Sequence, residues 1–171
     1  MTDRSGAWQH QEQYDAFLAD ARRKLLDHGL TVQAVGGDSD TLPFAYTAGL
    51  GAHDHPELMV LSLPPQTAHA ILNDLGRRVI AGTILRPGDR LDGVLRGYQI
   101  GIAGQLSAKA SNDYPISIAK ALLPHSTTGV FQVVYPDADH RFPGEDRYTL
   151  NEAQPLLTDA QPPYLSQNPM G

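Results

Sequence analysis

The sequence predicts an α+β fold: a single domain with a mostly antiparallel or mixed sheet of about five to six strands and helices packed mainly on one face. Three observations predict it. Apolar residues recur with a helical period over 14–25 and 68–79, and alternate with period two between and after those stretches. One long helical interval separates consecutive strand-like runs, and the other connections are hairpin-like. No G-x-G-x-x-G or G-x-x-x-x-G-K-[ST] is present, which argues against a doubly wound parallel sheet and a P-loop.

The elements follow in order. Tyr14, Phe17, Leu18, Ala21 and Leu25 make one apolar stripe, with Asp15, Asp20, Arg22, Arg23 and Lys24 largely on the other side. This predicts a helix from about Trp8 to His28, with Gly29 as its left-handed cap. Leu30, Val32 and Ala34 alternate with polar neighbours, as do Phe44 and Tyr46 with Ala45 and Thr47. "GGDSDT" between them is turn chemistry, so the two runs form a hairpin. "LMVLSL" is apolar on both faces and reads as a central strand. Pro64 and Pro65 open the second helix, whose stripe is Ala68, Ile71, Leu72, Leu75 and Val79. "RPGDR" is a turn within "TILRPGDRLDGVLRGYQIGIAGQLS", which reads as paired strands. "YPISIAKALLP" is a short helix and "GVFQVVY" the last strand. The expected core holds Phe17, Leu25, Phe44, Met59, Leu61, Ile71, Leu75, Ile100 and Val133.

With 171 residues the chain makes one domain, assigned to 1–160 and followed by a Pro-rich tail over 161–171. "PPYLSQNPMG" has three prolines and few large apolar side chains, so residues after Gln161 are expected to add little stability. The net charge is −6, from 13 basic and 19 acidic residues, with no basic stripe, which counts against nucleic acid as a partner. There is no cysteine and no apolar run of membrane-spanning length. The N-terminus lacks a signal-peptide core, and a cytoplasmic location is the expectation.

Chemistry concentrates in "FAYTAGLGAHDHPELMVLSL", residues 44–63. If the loop is extended, His53 and His55 share a face and offer two imidazoles to zinc or iron, with Glu57 beside them. A third ligand would come from His69, His125 or His140. The bland alternative is a hydrophilic turn entering a strand, since Asp54 and Pro56 both favour turns. Tyr46 and Thr47 end a strand before two glycines, where loops build pockets. Glu57, if buried, needs a partner or a raised pKa. The short link between Thr47 and Leu58 should bring Tyr46, His55 and Glu57 close together. The ligand-binding candidates are therefore Tyr46, Thr47, Gly49, His55 and Glu57, and the catalytic candidates Glu57 and Tyr46. Ser62, Ser107, Ser111 and Ser117 lack a G-x-S-x-G elbow. Asp137, Asp139, Glu145 and Asp146 read as a solvated acidic loop, since their spacing does not suit calcium.

At Tyr46, Thr47, Gly49 and Leu50, followed by His55, Pro56, Glu57 and Leu58, the chain resembles the bacterial family known as domain of unknown function 4262. The likeness runs from the hairpin through the helix after Pro65 to "VVYPDADHRFPGE", most of the chain. The family's late segment reads Pro-Asp, a glycine turn, then Phe-Pro-Trp. Pro136, Asp137, Phe142 and Pro143 match it. His140 stands in place of the glycine and Gly144 in place of the tryptophan, which implies a more open pocket if that tryptophan covers one. The resemblance implies a small bacterial cytosolic protein and brings no established activity. Two functions fit. One is an accessory module that binds a small molecule or partner protein in a cleft lined by Tyr46, Thr47, His55 and Glu57. The other is a metal-dependent hydrolase or oxidoreductase with His53 and His55 as ligands and Glu57 as general base.

Overall fold

The computed structural model describes residues 5–165. Its elements are α1 (Ser5–His28), β1 (Thr31–Val35), β2 (Phe44–Ala48), a 3-10 turn (Leu50–His53), β3 (Glu57–Leu61), α2 (Pro65–Ile80), β4 (Arg90–Leu95), β5 (Tyr98–Gln105), α3 (Ala108–Asp113), α4 (Ser117–Leu122), β6 (Val130–Val134) and a final 3-10 turn (Pro163–Leu165). The six strands form one sheet in the order β1-β2-β3-β6-β5-β4. β3 and β6 run parallel, and every other pair is antiparallel. The fold is α+β with a mixed sheet. No helix among the described residues is long and apolar enough to cross a membrane.

Every residue of β3 is buried, because both faces of the sheet are covered there. On one face the α2 stripe packs against Ala45, Leu58, Val60, Ile100 and Ile102. On the other, Ala110 of α3 and Ile118 and Ala119 of α4 pack with Phe44, Tyr46, Met59 and Leu61. α1 joins them there through Ala21 and Leu18, so among the described residues α1, α3 and α4 lie on one face and α2 alone on the other. α3 is a six-residue helix, too short to show a period in the sequence. It is nucleated by Ser107, whose Oγ accepts the Ala110 amide at 3.0 Å.

Seven of the nine expected core residues are buried: Phe44, Met59, Leu61, Ile71, Leu75, Ile100 and Val133. Phe17 is a correction, at 63% exposed, and Leu25 is only half-buried. α1 packs on β1 and α4, and it meets this cluster through the small side chain of Ala21 and part of Leu18, which leaves Phe17 facing outward.

Beyond β6 the chain is packed against the sheet, and this includes the start of the assigned tail. Ala103, Val134, Phe142 and Tyr164 form a third core cluster, with Leu156 and Leu165 against it. Tyr164 is 2% exposed, its hydroxyl donates to the Pro143 carbonyl at 2.9 Å, and the Arg90 guanidinium lies over both the Phe142 and Tyr164 rings. So the segment up to Leu165 is docked, although it was expected to add little stability. Residues 166–171 of the assigned tail lie outside the described residues. Gly144 has φ +93°, and a Cβ there would meet Leu165 Cδ1 at 2.6 Å. The space above Gly144 is therefore filled by Leu165 and Leu156, not open.

Candidate functional site

The register Phe44↔Leu61, Ala45↔Val60 and Tyr46↔Met59 brings Thr47 to Leu58, with Glu57 one residue further out. The Thr47 hydroxyl donates to Glu57 Oε2 at 2.6 Å and accepts the Leu58 amide at 2.9 Å. The amides of Gly49 (2.9 Å) and Gly51 (3.1 Å) donate to Oε1, and that of Leu50 (3.2 Å) to Oε2. Four donors thus occupy the roughly four lone-pair positions of one carboxylate. Glu57 is 4% exposed. Its position caps the first amides of the 3-10 turn, a concavity suited to an anion. Gly49 is required there: φ is +138°, and a Cβ would lie 2.5 Å from the Gly29 carbonyl. Burial pushes the Glu57 carboxyl above its ordinary value, while the Thr47 hydroxyl and the three amides pull it back. With its oxygens saturated, Glu57 is built to organise the loop.

His55 is buried as well. Its Nδ1 lies 2.8 Å from the Pro56 carbonyl, and its Nε2 accepts the Leu85 amide at 3.1 Å. A carbonyl partner and an amide partner assign the proton to Nδ1, and both ring nitrogens are used. The imidazole ties this loop to a segment 30 residues away. His53, at the end of the 3-10 turn, is exposed. Asp54 adopts the left-handed conformation (φ 55°) and turns the chain, so the two histidines do not share an extended face. His69 is exposed and bonds Asn73, His125 is exposed, and His140 stacks on Tyr98 at 4.7 Å. Among the described residues, no three His, Asp or Glu side chains converge as metal ligands. The donor set His53, His55 and Glu57 does not fit zinc or iron, because the nitrogens of His55 and the oxygens of Glu57 are already committed.

Tyr46 points to the opposite face of the sheet from Thr47, into the cluster with Phe44 and Met59. Its hydroxyl accepts the Ile118 amide at 3.0 Å, and burial pushes its pKa up. Tyr46 was the residue expected beside His55 and Glu57; it is the Thr47 hydroxyl that reaches Glu57, while the Tyr46 hydroxyl bonds the Ile118 amide of α4.

A second buried carboxylate, Asp137, corrects the expectation that all four acidic residues of its loop are solvated. Asp137, 2% exposed, follows β6. Its Oδ1 accepts the amides of Asp139 (2.9 Å) and Arg141 (3.0 Å), and its Oδ2 accepts the amide (3.1 Å) and hydroxyl (3.3 Å) of Thr149. Burial raises its pKa, but the amides and the Thr149 hydroxyl outweigh burial and hold it below the usual carboxylate value. Asp139 and Asp146 are exposed, as expected of a solvated loop, whereas Glu145 is half-buried and pairs with Arg90 at 3.0 Å. The available signal was Pro136-Asp137 directly after a strand, where Asp caps a turn.

Because β3 and β6 are parallel, their carboxyl ends lie side by side, and α2 begins over them. Between them is a cavity of about 240 Å³, lined by Leu63, Thr67, Ile71, Leu95, Tyr98, Leu150 and the stretch 135–138. The Tyr135 hydroxyl donates to the Leu61 carbonyl at 2.9 Å, and burial pushes its pKa up to about 12. The hydroxyls of Thr67 and Tyr98 have no hydrogen-bond partner among the described residues. Beside this cavity, Ser62 is left-handed (φ 59°), and its buried Oγ is without a partner among the described residues. Ser62 and Leu63 also line a neighbouring hollow of about 450 Å³ with Val35, Phe44 and Pro64.

A family model described as a domain of unknown function, DUF4262, matches residues 24–149. The chain belongs to the DUF4262 family. The DUF4262 match contains both carboxylate clamps, from Thr47 and Glu57 to Asp137 and Thr149, and stops before Tyr164. No match was found among curated proteins or among solved structures.

Proposed function

We propose that this protein is an accessory module that binds a small molecule in the cavity at the carboxyl ends of β3 and β6. The observation that carries the reading is the convergence of both parallel strand ends and the first turn of α2 on one cavity with two hydroxyls, Thr67 and Tyr98, that have no hydrogen-bond partner among the described residues. Crevices outside the carboxyl ends of parallel strands are favoured ligand sites. Apolar walls with a few fixed polar groups are what such sites present. Leu63, Ile71 and Leu95 supply the apolar wall, and Tyr98, backed by the stacked His140, supplies an aromatic one. In this reading Thr47, Gly49, His55 and Glu57 hold the scaffold, and the ligand is met elsewhere.

A fragment screen by amide-resolved NMR tests it. Bound fragments should shift Thr67, Tyr98 and Tyr135 together, and Ala138→Trp, at an exposed position on the cavity wall, should abolish those shifts while the fold is retained. Hits that cluster away from the cavity, or that survive Ala138→Trp unchanged, would overturn the proposal.

A further inference from the structure

On another side of the molecule, α1 and α2 enclose a hollow of about 250 Å³ over the start of β1. Its walls are two helical stripes at four-residue spacing. Lys24 and His28 come from the end of α1, and His69, Asn73 and Arg77 come from α2, with Thr31 in the floor. Residues four apart on a helix share a face, so each stripe presents its side chains on one side. Every polar side chain lining the hollow can donate a hydrogen bond, and no carboxylate lines it. That is notable in a chain with 19 acidic and 13 basic residues.

Of the lining cations, Lys24 shares its charge with Asp20 at 3.0 Å, and the adjacent Arg78, outside the hollow, pairs with Asp74 at 2.7 Å. The Arg77 guanidinium has no ion pair or hydrogen bond among the described residues. Basic residues commonly end helices because they complement the macrodipole, and His28 and Arg77 satisfy that rule. The rule does not account for His69, which lies in the first half of α2, or for the convergence of two helices on one hollow.

We infer that this hollow is a binding site for a phosphate group, free or carried on a small organic molecule. Arg77 is its bidentate anchor, and Lys24, His28 and His69 flank the anion. A planar guanidinium with unused donors matches phosphate oxygens two at a time, which a single ammonium does not. The site is independent of the cavity at the carboxyl ends of β3 and β6.

Titration of the full chain with inorganic phosphate and with phenyl phosphate, followed by amide-resolved NMR, tests the inference and separates the free anion from the monoester. The expected result is a saturable shift of Thr31, His69, Asn73 and Arg77 with at least one of the two. Arg77→Ala should weaken binding by about tenfold or more. Arg96→Ala, which removes the same charge from the exposed β4–β5 turn, should leave binding unchanged. Equal weakening by both variants would mean bulk charge attraction and would overturn the site. So would the absence of saturation by about 10 mM with both probes, or shifts confined to other residues.

Discussion

The Thr47 hydroxyl stands between two partners of β3, giving its proton to the Glu57 carboxylate and receiving the amide of Leu58. One side chain thus extends the β2–β3 ladder past its last backbone pair and orients the group that holds Gly49, Leu50 and Gly51. Glu57→Gln keeps the size but replaces one acceptor oxygen with an NH₂ that can accept none of the backbone amides. Leaving buried donors unpaired should cost about 2–4 kcal/mol in urea melts. Thr47→Val should cost about 1–3 kcal/mol. The double variant should lose less than the sum, because both changes break one network. A loss under about 0.5 kcal/mol for Glu57→Gln would show that the loop keeps its shape without the clamp.

Much of this was legible in the sequence, and the reasons differ by residue. The strand "LMVLSL" declared its burial by being apolar on both faces. The short link between β2 and β3 does bring Glu57 to the end of β2, but the neighbour it finds is Thr47 where Tyr46 was expected. What the sequence does not show is what a given side chain finds when it arrives. An extended H-x-H pair and a 3-10 turn have the same letters, and the left-handed Asp54 decides between them. The period of α1 defines a stripe but not whether anything covers it, and Phe17 is bare. The partners of Asp137 lie within 12 residues of it, in a loop with no period at all.

Tyr164 is the place where composition misled most. A Pro-rich ending resembles a loose tail, yet this ring completes the third cluster beside Phe142, with centroids 5.4 Å apart. Tyr164→Ala should cost about 3–5 kcal/mol, as for other large buried aromatics. In a chain of this size that lowers the melting temperature by about 6–20 °C. Truncation after Gln161 should lower it at least as far. A drop of under about 2 °C in calorimetry would show that the ring is not part of the cooperative unit.

Asp137 makes a prediction about acid. Its pKa in the folded chain lies below the ordinary value, so the unfolded chain binds the proton more readily. The stabilisation is therefore complete above the unfolded pKa of about 3.9 and is lost as pH falls through the lower folded value. Asp137→Asn should be the less stable protein at neutral pH and should show a shallower decline below about pH 4. Denaturant melts at a series of pH values would reveal this. Parallel acid limbs for the two proteins would mean that the carboxylate does not carry this linkage.

Ser62 bears two costs at one position, and they can be separated. Its φ of 59° is a region that L-residues occupy at a penalty, and its buried hydroxyl is unpaired among the described residues. Ser62→Ala removes the second cost and keeps the first, so it should raise stability by about 1 kcal/mol. Ser62→Gly removes both costs but frees the unfolded chain, so its gain should be similar. Ser62→Val adds a β-branched side chain in the left-handed region and should lose stability instead. A serine that costs stability beside the proposed ligand cavity is the pattern expected of a functional position. Ser62→Ala should then weaken the binding of fragments held between Leu63 and Tyr98 even as it raises the urea midpoint. If Ser62→Ala instead lowers the midpoint, the hydroxyl has a partner in solution that satisfies it, and its expense disappears from the argument.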